Sequence, residues 1–129
     1  MLLSRIPVYL KVMNKKFKVN ANDIPYSGTC LQGYITTTYA VLEKELGKPI
    51  TDIEKSTAHW NIQAPDGTVA TIYDWKEWTT PMGEYEWHVG GHGPRALLLV
   101  EFLLGIKPEV YGNDITGEIQ QIQFALANS

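Results

Sequence analysis

The chain has 129 residues and a net charge of −3, with apolar and charged fractions of 44% and 19% that are ordinary for a globular protein. This length is enough for one domain with its own core. Cys30 is the sole cysteine, so a disulfide framework within the chain is excluded and a structural tetrahedral zinc site is not predicted. The sequence has no clear secretory signal and no apolar run long enough to span a bilayer, so a cytoplasmic location is expected.

The charge is distributed unevenly along the chain. Five basic residues and no acidic residue precede Asp23, whereas the remainder carries a formal charge of about −8. A basic arm of this kind can contact nucleic acid or an acidic partner. An edge hairpin whose lysines prevent aggregation is the preferred interpretation, because the acidic remainder would repel phosphate. Nucleic acid is therefore not a predicted partner, and neither is a membrane.

The N-terminal residues predict a β-hairpin. Apolar residues alternate with other residues over positions 8–12 and 17–19, and Asn14 and Lys15 lie between the two runs. We assign the basic hairpin to residues 1–22. A connector that contains Pro25 follows it.

The next segment predicts a helix that begins at Thr29. Thr29 and Gln32 have the spacing of a capping box, and Gly47 followed by Pro49 is typical of a helix end. An apolar stripe at helical spacing lies between them: Leu31, Ile35, Tyr39, Leu42 and Leu46. Gly33 falls in the first turn of this predicted helix. A glycine there indicates the close approach of another backbone or of a ligand.

Three strands are predicted in the middle of the chain. Residues 56–63 alternate, residues 68–75 are β-branched and aromatic, and residues 85–89 form the third run. The turn at 64–67 and a loop rich in proline and glycine join them. We expect an antiparallel meander, with Trp60 and Trp87 in the core.

A second helix is predicted after Pro94, which suits the first helical position, and Gly105 ends it. Residues 96–104 are apolar on nearly every side, so this helix requires cover all round. A third helix over 116–127 or a second copy of the chain would supply that cover. Both together are the preferred interpretation, and a homodimer is therefore expected. The predicted fold is a single α+β domain over 1–129, in which a small antiparallel sheet (the N-terminal hairpin and the meander) packs with two or three helices.

Candidates for metal binding and nucleophilic catalysis are few. His59, His88 and Asp74 can in principle form an open three-ligand site, and Cys30 near a helix start can act as a nucleophile. No spacing brings a further ligand or a base to either group. Histidines on a sheet face and a buried cysteine are therefore the preferred interpretations. No catalytic residue, metal or cofactor is predicted.

Aromatic residues between positions 73 and 87 give the strongest indication of function. Five of them lie within fifteen positions and are interleaved with carboxylates. Aromatic rings stack on nucleobases and carboxylates accept hydrogen bonds from ribose hydroxyls, while the backbone of 90–93 and Arg95 would hold a phosphate. The predicted pocket lies between the first turn of the helix at Thr29 and the turn over 87–95. Its expected ligand-binding residues are Thr29, Gln32, Tyr34, Tyr73, Trp75, His88, Gly90, Gly91 and Arg95.

Trp78 is predicted to contact a partner instead. It lies among acidic residues in a loop that also contains Pro81 and Gly83, where placement in the core is less favoured.

Three segments together carry a resemblance to other proteins. They are 28–39 (GTCLQGYITTTY), 66–76 (DGTVATIYDWK) and 87–91 (WHVGG), and with them the chain resembles a group of small proteins of unassigned activity encoded mainly in tailed-phage genomes. The resemblance covers about 27–104. The hairpin 1–22 and the segment 105–129 are extensions of this member.

The resemblance implies a binding protein of the host-cell cytoplasm rather than an enzyme. By analogy it counters a host defence, with a nucleotide-like signal as the expected ligand. Two alternatives stay open: an inhibitor that binds a host protein directly, and an enzyme acting on a nucleotide or phosphate ester with His88 or His59 as acid–base.

Overall fold

The computed structural model of the protein describes residues 17–112. Two helices are present in this range, α1 (Tyr39–Leu46) and α2 (Arg95–Leu104). The strands are β1 (Lys18–Val19), β2 (Cys30–Thr37), β3 (His59–Gln63), β4 (Val69–Tyr73), β5 (Tyr85–Gly91) and β6 (Glu109–Val110).

The six strands form one antiparallel sheet in the order β1-β3-β4-β5-β2-β6. The α+β class and the meander of β3, β4 and β5 are therefore confirmed. Of the expected N-terminal hairpin, only residues 17–19 fall within the described part, where β1 pairs with β3. The remainder of that hairpin and the helix expected over 116–127 lie outside the described residues.

The helix expected to begin at Thr29 is wrong. Residues 30–37 form β2, and α1 begins only after Thr38, whose hydroxyl accepts a hydrogen bond from the Val41 N–H at 3.3 Å. The error has a physical reason, since a four-residue repeat such as Leu31 and Ile35 satisfies both the helical period and the two-residue period of a strand. The threonine-rich run before α1 favours the strand. The end of the helix at Gly47 is as predicted, with φ of 84°.

The core lies on one face of the sheet. Trp60, Ile72 and Val89 are neighbours across β3, β4 and β5 and are fully buried, and Trp87 beside Ile35 is buried as well. Helix α2 packs on this face. Within the described residues it buries one side only, through Ala96, Leu97, Leu99 and Val100. The third helix and the second copy that were expected to cover the other side stay predictions.

A glycine in β2 admits the edge strand β6. A Cβ at Gly33 would collide with the carbonyl oxygen of Glu109, which pairs with the neighbouring Tyr34. The close approach expected at Gly33 is therefore made by a backbone, although in a strand and not in a helix.

Candidate functional site

A row of four rings crosses the sheet face that is turned away from the core. Tyr34, His88, Tyr73 and His59 are direct neighbours in the register of β2, β5, β4 and β3, and we call them the outer row. Their ring centroids are 5.1, 5.3 and 5.6 Å apart in that order. Because side chains alternate along a strand, the row follows from the same register that assembles the core on the opposite face.

Three further aromatic rings border the outer row. Trp75 lies beside its middle, 6.1 Å from the ring of Tyr73 and 6.3 Å from that of His88, and is 41% exposed. Tyr111 and Tyr26 lie at opposite ends, each 6.1 Å from the nearest member of the row. His59 is only 8% exposed, whereas the other three members are partly exposed. The accessible part is therefore an aromatic surface on rigid strands.

The two histidines of the row carry buried nitrogen atoms without hydrogen-bond partners. Nε2 of His59 lies 2.6 Å from Oδ1 of Asn61, which only accepts, so Nε2 holds the proton and Nδ1 is an unprotonated acceptor. Nδ1 of His59 and Nδ1 of His88 have no partner among the described residues. Burial lowers the pKa of both histidines, although the hydrogen bond to Asn61 opposes the shift at His59 and nearby carboxylates oppose it at both. Burial therefore favours the neutral form of both rings, in which one ring nitrogen donates and the other accepts.

The two adjacent glycines of β5, Gly90 and Gly91, allow close packing on opposite faces of the sheet. Gly90 lies on the outer face, where a Cβ would be 2.5 Å from Oγ1 of Thr71 and 3.5 Å from the ring of Tyr73. A Cβ at Gly91 would instead collide with that of Ala96 in α2. Both glycines are paired with β2, so they belong to a strand and not to the anion-binding turn that we expected.

Arg95 lies away from the outer row. It begins α2, on the core side of the sheet, and its guanidinium forms an ion pair with Asp66 at 3.2 Å. A cavity of about 370 Å³ lies beside it and is lined by residues 67–69 and 92–96. Arg95 and Gly91 therefore do not join Tyr34, Tyr73, Trp75, His88 and Gly90 in one site.

Two other residues that were expected in the site, Gln32 and Thr29, make hydrogen bonds within the fold. Nε2 of Gln32 donates to the carbonyl oxygens of Gly91 and Cys30, at 3.1 and 3.3 Å, and so stabilises the irregularity in β2. Thr29 lies in the turn before that strand, where its N–H donates to Tyr26. The expected pocket between a helix at Thr29 and the 87–95 turn does not form, because β2 takes the place of the helix. Cys30 is exposed, contrary to the expectation that it is buried.

Asp74 directly precedes Trp75 in the chain. The sequence did not reveal that its carboxylate accepts several hydrogen bonds that hold two segments together. Its carboxylate is fully buried and accepts from the hydroxyl of Ser56 at 3.0 Å and from the N–H groups of Thr57 and Ala58 at 2.7 and 3.0 Å. The hydroxyl of Thr57 donates to it too. These bonds hold the segment before β3 against the end of β4.

Trp78 is 99% exposed in the loop between β4 and β5. The loop is attached on either side of it, since Oη of Tyr85 donates to Glu77 at 3.1 Å and the hydroxyls of Thr57 and Thr80 are 2.7 Å apart. Its location suits the expected contact with a partner, which stays a prediction.

Metal binding by the histidines finds no support in the described part of the chain. The ring of Tyr73 lies between His59 and His88, and no group of three potential ligands occurs among residues 17–112. In the same range, no helix has the length and apolar character needed to cross a bilayer.

No protein-family model, curated protein or solved structure matches the chain. The case for a function therefore depends on the outer row and the groups that surround it.

Proposed function

We propose that the protein binds a planar, nucleotide-like small molecule on the outer row and holds it without converting it. The observation that carries this proposal is the continuous surface formed by Tyr34, His88 and Tyr73 with Trp75 beside it. Stacking of a base on an aromatic side chain contributes about 1–3 kcal/mol. Tyr34, His88 and Tyr73 lie on paired strands, so little side-chain freedom is lost when a ligand binds.

The polar groups around the rings favour a nucleotide over a purely apolar ligand. Glu86 precedes His88 by two residues and therefore lies on the same face of β5, and Glu109 pairs with Tyr34. Both carboxylates are exposed and can accept hydrogen bonds from ribose hydroxyls. The partly exposed imidazole of His88 and the tyrosine hydroxyls can donate hydrogen bonds to the edge of a base or accept them from it.

The biological role that we propose for such binding comes from the expected resemblance to tailed-phage proteins. A phage protein that holds a nucleotide signal of the host would lower its free concentration and so counter the defence that depends on it. This role needs affinity and a sufficient amount of protein, but no turnover.

The proposal is tested by thermal unfolding with a panel of ribonucleotides, cyclic mononucleotides and cyclic dinucleotides. A ligand that binds only the folded state at 100 times its Kd stabilises it by about 2.7 kcal/mol, which is a shift of several degrees. We expect Trp75→Ala and Tyr34→Ala to reduce the shift, while Arg95→Ala, the matched control, retains it. If no member of the panel stabilises the protein, or if both aromatic variants retain the full shift, the proposal is wrong. Recovery of a hydrolysed nucleotide would instead favour the enzyme with His88 as acid–base.

Direct binding to a host protein is the second candidate, and the complete exposure of Trp78 favours it. Tryptophan dominates many protein interfaces, and Met82 in the same loop is also exposed. Co-purification of one host protein that is lost in Trp78→Ala and kept in Trp75→Ala would support this candidate. The reverse pattern would contradict it.

A further inference from the structure

Two lysines approach the ring of Trp75. Nζ of Lys55 lies 5.8 Å from the ring centroid and Nζ of Lys76 lies 5.6 Å from it. Within residues 17–112 the ion pairs are those of Lys18 and Arg95, so neither lysine near Trp75 is paired with a carboxylate. Each ammonium group lies over the ring without a carboxylate among the described residues to neutralise it, and an anion bound beside the ring would supply the missing negative charge.

The backbone at both lysines has an uncommon conformation. Lys55 has φ of 65° and Lys76 has φ of 57°, and the N–H of Lys76 donates to the carbonyl oxygen of Lys55 at 2.7 Å. Residues other than glycine rarely adopt this left-handed region, and they retain it where the surrounding structure enforces it, often at functional sites. The two lysines are therefore held next to each other, beside the candidate site, by a backbone hydrogen bond and an uncommon backbone conformation.

The buried carboxylate of Asp74 enforces this geometry. It accepts from Thr57 and Ala58, which follow Lys55, and it precedes Lys76 by two residues. Asp74 is thus a positioning residue, which holds the two lysine-bearing segments together. Glu77 does not neutralise the lysines, because its carboxylate accepts from the hydroxyl of Tyr85 and forms no ion pair.

From these observations we infer that Lys55 and Lys76 form an anion subsite that binds a phosphate group of the ligand. This inference rests on the proposed function and names its ligand class, a nucleotide and not a nucleoside or a free base. Trp75 connects the subsite to the outer row, since its ring contacts both lysines and lies next to Tyr73 and His88. The subsite takes the role that the sequence assigned to Arg95 and the glycines.

The test is isothermal titration calorimetry with the four common ribonucleosides and their 5′-monophosphates. We expect at least one monophosphate to bind about tenfold more tightly than its nucleoside, with an affinity that falls as salt concentration rises. The double variant Lys55→Gln/Lys76→Gln should lose this difference. The control Lys48→Gln/Lys107→Gln, which alters two exposed lysines elsewhere, should keep it.

The outcomes separate this inference from the proposed function. If nucleosides and monophosphates bind equally, or if the Lys55→Gln/Lys76→Gln variant keeps the preference, the phosphate subsite is wrong while binding on the outer row stands. If none of the eight compounds binds, the inference is overturned, and the wider panel decides the proposed function. Circular dichroism of both double variants verifies that they fold.

Discussion

The imidazole of His59 lies almost parallel to the phenol ring of Tyr73, with 5.6 Å between the centroids and 15° between the planes. The two residues are partners in the register of β3 and β4, so the stack follows directly from strand pairing. It joins a buried residue to one that reaches the accessible surface. The protonation state of His59 therefore bears both on folding and on the face where the ligand is proposed to stack.

The first prediction concerns pH. Burial lowers the pKa of His59 and of His88, so below the ordinary histidine pKa of 6.5 the unfolded chain binds more protons than the folded protein. The stabilising effect is complete above pH 6.5 and is lost as the pH falls through the lowered pKa values. We expect the urea midpoint to be constant from pH 8 to 7 and to fall below pH 6.5. His59→Gln/His88→Gln should flatten this fall, whereas His92→Gln, at an exposed position, should not. An identical profile in all three proteins would contradict the assignment.

The second prediction concerns Asp74. Asp74→Ala leaves the N–H groups of Thr57 and Ala58 without their acceptor in a buried region. We expect a loss of about 3 kcal/mol in the free energy of unfolding, measured by urea denaturation. Asp52→Ala, at an exposed position, is the control and should change the value by less than about 0.5 kcal/mol. A loss below about 1 kcal/mol for Asp74→Ala would show that these bonds are not important for stability.

A third prediction follows from the packing at Gly90. An added methyl group would lie 2.5 Å from Oγ1 of Thr71, so Gly90→Ala should destabilise the protein by about 1–3 kcal/mol. Thr71→Ala in the same chain removes the clashing oxygen and should restore part of the loss. Gly83→Ala, where a Cβ meets nothing within 4 Å, serves as the control in the same thermal unfolding measurement. Equal stability of Gly90→Ala and Gly83→Ala would contradict the close packing.

The fourth prediction tests where the first helix begins. Thr38 caps α1 through its hydroxyl, so Thr38→Ala should cost about 1 kcal/mol of stability. Thr29→Ala, at the start that the sequence pattern suggested, should cost clearly less. The free energies of unfolding of the two variants are compared by chemical denaturation. A larger loss for Thr29→Ala than for Thr38→Ala would favour a helix that begins at Thr29.

The meander could be predicted because residues 56–63 alternate, residues 68–75 are β-branched and aromatic, and turn residues separate the strands. The segment at Thr29 could not, since Leu31 and Ile35 fit both periods and only pairing with β5 resolves the conflict. The positive-φ backbone at Lys55 and Lys76 also depends on contacts between distant segments. No local pattern marks either lysine.

The candidate site was predicted in part for a related reason. The aromatic cluster in the sequence contains Tyr73 and Trp75, and alternation places His88 on a sheet face. Helix α2 covers the face of β5 on which Gly91 lies, and Arg95 begins this helix. The sequence alone did not show which face of the sheet the helix covers. Closeness in sequence to His88 was therefore a poor guide to closeness in space.

The strand order has a consequence for the sequence of events in folding. Strands β3, β4 and β5 pair with their neighbours along the chain, whereas β2 pairs with β5, which is separated from it by α1, β3 and β4. Local pairings form sooner than distant ones, so we expect the meander to assemble first and β2 to be incorporated late. Tyr34 arrives with β2. A newly made chain would therefore complete the outer row only after the meander has formed, and a partly folded chain would lack the part of the proposed binding surface that Tyr34 supplies.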